Sequence, residues 1–138
     1  LEIVGYFFDK DRLQRLKEMA NSNIHIEDRI LSEEEYYRKL GTATYSVLPY
    51  DMAQYQNRTS GILLESAFLE TIPAAPQALL ETNGMAGVGY RLMSEMPDKI
   101  IKCQKKEIIN RNNERIRNNF DEKKIKAEFL KWMSKFIR

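Results

Sequence analysis

The sequence has one cysteine, Cys103, and one histidine, His25, in 138 residues. A single cysteine excludes an internal disulfide and fits a reducing compartment. A single histidine argues against a His-based metal site. No apolar run approaches the roughly 20 residues needed to cross a bilayer. The opening LEIVGYFFDKDR lacks the basic region, apolar core and small-residue cleavage site of a signal peptide. Internal repeats and low-complexity linkers are missing too. These absences point to a cytoplasmic domain without a disulfide framework. The chain opens on Leu1, inside an apolar segment, which reads as a fragment of a longer protein cut near a strand.

What is present is ordinary for a globular chain: 43% hydrophobic and 30% charged residues. The length supports one domain with a real core, residues 1–138, in which 97–138 forms a helical C-terminal extension. Net charge is only +2, but it is unevenly placed. Residues 1–101 carry 10 Lys/Arg against 15 Asp/Glu, whereas residues 102–138 carry 12 against 5. A basic tail of this kind can meet nucleic acid, anionic lipid or an acidic protein surface.

Hydrophobic spacing predicts strands over 1–8, an edge-like one across Ile24, Ile26 and Ile30, others over 45–48 and over 72–75, with another inside NGMAGVGY. Between them fall helices of about ten residues. One follows Asp9, with Leu13, Leu16 and Met19 at helical spacing. A second opens at the Ser32/Glu35 capping box, and a third runs from Ser60 to Glu70. Strands alternating with helices predict an α/β fold with a doubly wound parallel sheet. From Pro97 onward, two C-terminal amphipathic helices break near Asn118-Asn119.

The stretch LPYDMAQYQNRTSGILLESAF, residues 48–68, reads as a site. Parallel sheets bind ligands at the carboxyl ends of their strands, and Leu48-Pro49-Tyr50 is such an end. Thr59-Ser60-Gly61 starts a helix, where free N–H groups and the positive dipole end suit a phosphate or diphosphate. Gly61 lets an anion approach without meeting a Cβ, Ser60 offers a hydroxyl and Arg58 offers charge. Glu65, one turn on, suits the vicinal hydroxyls of a ribose. Tyr50 and Tyr55 either stack on a base and line the sugar pocket or pack the rim. The same residues also fit a plain Ser60 N-cap with Glu65 on a solvated helix face. Asp51 starts the turn after Pro49. The NRT at 57–59 is a glycosylation sequon only in a secretory compartment. The glycines of GMAGVGY read as turn residues rather than a dinucleotide fingerprint.

SVLPYDMAQYQNRTSGILLESAFLETIPAAP resembles the nucleotide-sugar-binding segment of GT-B-fold retaining glycosyltransferases of the group 1 type. IHIEDRILSEEEYYRKLGTATYSVLPY and LEIVGY resemble earlier parts of the same half, so the likeness covers about residues 1–90. It implies a Rossmann-like fold and a donor-binding domain of a two-domain enzyme. That enzyme would transfer sugar from a nucleotide diphosphate sugar to a hydroxyl acceptor in polysaccharide or glycolipid biosynthesis.

By this resemblance Glu65 binds the ribose, and the Ser60-Gly61 amides hold the diphosphate. Asn57 stands where many relatives carry a second glutamate, and can hydrogen-bond a sugar hydroxyl as a neutral group. Relatives often have a glycine where Glu70 and Thr71 stand. The implied partners are the nucleotide-sugar donor and an N-terminal acceptor domain, which would hold the catalytic base. No metal or other cofactor is implied, because helix-end amides can stand in for a cation. The fragment alone is not expected to turn over.

Two rivals remain: a non-catalytic α/β regulatory or protein-interaction domain, and a peripheral membrane module using residues 121–138. The apolar stripe and lysines of 121–138 fit either an interfacial helix or a packed one, and packing is favoured because the charges are not confined to one arc. Nucleic acid is not an expected partner, since no recognition motif accompanies the charge.

Overall fold

The computed structural model describes residues 1–55 and 59–133, the side chains of Gln54 and Trp132 apart. The chain divides into two units, Leu1–Lys39 and the chain from Leu40 onward.

The first unit contains β1 (Glu2–Gly5), α1 (Lys10–Met19), β2 (His25–Asp28) and the start of α2 (Glu33–Thr42). β1 and β2 pair in parallel, from Glu2 opposite His25 to Gly5 opposite Asp28. β1 is shorter than the predicted 1–8, because Asp28 draws the chain aside at Phe7, whose N–H donates to the carboxylate at 3.1 Å. Asp9 caps α1 by accepting from Arg12 N–H at 2.9 Å. Ser32 Oγ accepts from Glu35 N–H at 3.2 Å, which is half of the capping box. Leu13 is the buried hydrophobic residue of this unit.

The second unit contains β3 (Tyr45–Val47), α3 (Met52–Tyr55), α4 (Gly61–Phe68), β4 (Ile72–Pro76), α5 (Gln77–Asn83) and β5 (Val88–Tyr90). A 3-10 turn (Met93–Glu95) leads to α6 (Met96–Lys102), α7 (Lys105–Asn119) and α8 (Glu122–Met133). The strands lie in the order β3-β4-β5, all parallel. The fold is therefore α/β with parallel sheets, as the alternation predicts.

Both faces of this sheet are covered. Leu48 and Ala75 join Leu63 and Ala67 of α4 and Leu79 and Leu80 of α5 on one face. Ile72, Ala74 and Val88 pack on the other against Ile100 of α6 and Ile108 and Ile109 of α7. The residues after 97 thus supply a layer of the sheet's core, and they break twice, at Cys103-Gln104 and at Phe120-Asp121. On that second face Tyr45 donates toward Cys103 or accepts from it at 3.2 Å, and burial together with this contact pushes its phenol up to about 12.

β4 is buried along its whole length although it reads Ile-Pro-Ala-Ala-Pro. Prolines are usually barred from central strands because they lack an N–H donor. Ile72 N–H and Ala74 C=O bond toward β3, to Thr44 and Leu48. Pro73 faces the other way, just before the Ala74–Val88 pair that opens the β5 ladder. Its missing donor therefore removes no ladder bond. Gly87 passes there so closely that a Cβ on it would lie 2.4 Å from Pro73 O.

α4 ends where the sequence carries no glycine. Thr71 N–H donates to Ser66 O at 2.9 Å and Glu70 N–H to Ala67 O at 3.2 Å. This closing pattern needs a left-handed residue, and Glu70 takes it with φ 60°. The turn that a glycine would make is thus made by a glutamate, whose side chain accepts from Asn113 Nδ2 at 2.8 Å.

Candidate functional site

β3 delivers the chain to Leu48, whose carbonyl is held from two sides. Tyr90 OH donates to it at 2.8 Å and Tyr50 N–H at 2.8 Å. Burial raises the Tyr90 phenol above its ordinary value, so it stays a neutral donor. Asp51 then accepts from Ala53 N–H at 2.9 Å, turning the chain into α3 as a local side-chain cap.

Tyr50 and Tyr55 stack on each other, with ring centroids 4.1 Å apart and planes 4° from parallel. Both are half-buried against the core formed by Leu48, Leu63 and Leu79. The facing sides of the two rings are occupied, so nothing inserts between them.

Ser60 caps α4. Its Oγ accepts from Leu63 N–H at 3.2 Å, and shares a hydrogen bond with Tyr50 OH at 3.1 Å. It is 3% exposed. The hydroxyl is thus taken up by the cap and by Tyr50, and does not face solvent as a ligand donor. Thr59, Gly61 and Ile62 are exposed beside it.

A Cβ built on Gly61 would lie 3.8 Å from Glu65 Oε1. The Glu65 carboxylate therefore sits back beside the first residue of α4, at the positive end of the helix dipole. Asn57 and Arg58, the remaining expected site residues, lie outside the described residues. The structure thus brings Tyr50, Tyr55, Ser60, Gly61 and Glu65 together at one end of β3.

Two cavities lie elsewhere. In the first unit an open cavity of about 520 Å³ is lined by Gly5 and Tyr6 after β1, Arg29 and Ile30 after β2, and Tyr36 and Tyr37 of α2. Arg29 is not free within it. It donates to both carboxylate oxygens of Glu35 and to Glu27, which holds its guanidinium pKa above the ordinary value. In the second unit a cavity of about 350 Å³ is lined by Gln77, Glu81, Gly84 and Arg111, on the amino side of β5. Neither cavity includes a residue from the 48–65 stretch.

Sequence reasoning missed Asn112, which is 3% exposed. Its Oδ1 accepts from Ala86 N–H at 2.8 Å and its Nδ2 donates to Ala86 O at 3.0 Å. That clamp fixes the loop entering β5 to α7. The signal was available: Asn112 lies four residues from both Ile108 and Ile116, on the buried ridge of its helix.

Among the described residues no group of three or more His, Cys, Asp and Glu side chains is placed to hold a metal ion. No described helix is long and apolar enough to cross a membrane. Set against known proteins, the chain matches no family model, no curated protein and no solved structure.

Proposed function

We propose that the chain is the nucleotide-sugar-binding part of a glycosyltransferase of the GT-B type. It would serve the transfer of a glycosyl group from a nucleotide diphosphate sugar to a hydroxyl acceptor in polysaccharide or glycolipid synthesis. One observation carries this reading: the Glu65 carboxylate lies beside Gly61 at an exposed helix start, in the loop region after a parallel strand. Helix-start amides favour a diphosphate, and a carboxylate beside them favours sugar hydroxyls as its partner.

In the reaction the bond from the sugar's anomeric carbon to the diphosphate breaks, and the diphosphate leaves with the electron pair. A bond from that carbon to the acceptor oxygen forms, and the acceptor proton passes to a base in the N-terminal half. The part played by this chain is electrostatic: backbone N–H groups at Gly61 and Ile62 stabilise charge developing on the leaving diphosphate. Because the Ser60 hydroxyl is spent on capping, it is the amides that take this role. Asn57 and Arg58 are the proposed contacts to the sugar and the phosphates. Tyr50 and Tyr55 act on the pocket by shaping it.

Titration calorimetry of the chain with UDP, GDP and inorganic phosphate tests the reading. Selective binding of one nucleotide is expected, with Glu65→Ala raising its dissociation constant about tenfold, as loss of a charged hydrogen bond does. Equal binding of phosphate and nucleotides, or an unchanged constant in the variant, overturns it. A second reading, a non-catalytic α/β interaction module, is favoured by the buried and satisfied Ser60 cap. It predicts no nucleotide selectivity at all.

A further inference from the structure

We propose that α8 is an interfacial helix that lies on an anionic lipid surface. Every residue from Asp121 to Lys131 is exposed, so these residues do not make the packing that the sequence favours for 121–138. Ile125 and Phe129, one turn apart on the same ridge, are 49% and 56% exposed. Leu130 is 57% exposed. Apolar side chains of this size are normally covered. Lys123, Lys124, Lys126 and Lys131 surround them with long stems, which can lie along a bilayer while their ammonium groups reach the headgroups.

Length and charge together select the occupant. No described helix is long and apolar enough to cross a membrane, so the proposal places α8 in the interface rather than across it. The chain from Lys102 onward carries 12 Lys/Arg against 5 Asp/Glu, while the preceding residues carry 10 against 15. An anionic surface therefore attracts the C-terminal part of the chain. The inference is independent of the donor-site reading.

Vesicle sedimentation of the full chain tests it, with phosphatidylcholine vesicles and with vesicles that also contain phosphatidylglycerol. Binding is expected only to the second kind, and it should weaken as salt is raised. Lys123→Glu with Lys124→Glu should reduce that binding about tenfold or more. Phe129→Asp, a change at an exposed position that circular dichroism would check for folding, should abolish it. Absence of binding, equal binding to both vesicles or no effect of Phe129→Asp overturns the proposal. So does a self-associated chain in light scattering that Phe129→Asp converts to monomer, since that makes a second copy the occupant.

Discussion

In the unit Leu1–Lys39, β1 and β2 are framed by ion pairs; in the unit from Leu40 onward, β4 is sealed between two apolar layers. Lys10 bonds Asp28 at 2.7 Å, Lys39 bridges Glu2 and Glu27 at 3.1 Å each, and Arg29 holds Glu27 and Glu35. One buried leucine, Leu13, accompanies them. β4, by contrast, lies beneath Leu63, Leu79 and Leu80 on one side. The comparison separates two sources of cohesion in one α/β chain. Exposed ion pairs are weak individually and respond to salt and pH. Apolar burial does not titrate and is not screened by salt, and it scales with area.

The sharpest way to break the contrast is in the second unit. Leu63 is fully buried, so Leu63→Ala should cost about 3 kcal/mol in urea denaturation, transfer and cavity terms together. A loss below about 1 kcal/mol would mean that the α4 face contributes little to the core.

The first unit should instead yield to acid. Hydrogen bonds from Lys39, Lys10 and Arg29 hold Glu27, Asp28 and Glu35 respectively below the ordinary values of 4.5, 3.8 and 4.5. A carboxylate lowered in the folded state stabilises it above its unfolded value, and that contribution fades as pH falls through the folded value. Lys39 is raised above 10.5 by Glu2 and then Glu27, so its contribution is complete below that value and fades only at higher pH. Amide exchange of the β1–β2 ladder, corrected for intrinsic rates, should therefore quicken below about pH 4, and with added salt at neutral pH. A β3–β5 ladder that quickened equally under both conditions would erase the distinction.

The smallest expected effect is at Glu70. Relief of its left-handed backbone is opposed by the greater chain entropy of glycine and by loss of the bond from Asn113. Glu70→Gly should stabilise the chain by about 0.5 kcal/mol, with a somewhat larger gain when Asn113→Ala is already present. A loss in thermal unfolding would show that the exposed hydrogen bond dominates.

Where residue chemistry is local, the sequence was readable. Ser32 with Glu35, Asp9 before α1 and Ser60 before α4 all cap where their side chains predict. Alternation of strands and helices gave the α/β class for the same reason. What escaped depended on a distant neighbour. Gly87 looked like a turn residue, but it is needed beside the Pro73 carbonyl. Glu70 concealed a left-handed turn because its type does not advertise one. Asn112 sits in NRNNER, a run that reads as solvated until its helical register against the isoleucines is counted. At the site, the approach of Glu65 to Gly61 follows from helical spacing. The mutual stacking of Tyr50 and Tyr55 does not, since only the turn through α3 brings them together.

The two prolines of β4 act beyond the native sheet. A growing cross-β assembly needs an N–H from successive residues along each added segment, and the Ile72–Pro76 stretch cannot supply one at Pro73 or Pro76. When the second unit opens, during synthesis or under stress, its most apolar strand is thus a poor seed for aggregation. Pro73 removes no bond from the native ladder, and the Leu48 carbonyl, next along it, accepts from Tyr90 OH and Tyr50 N–H instead of from Pro76, so the central strand carries its own gatekeepers.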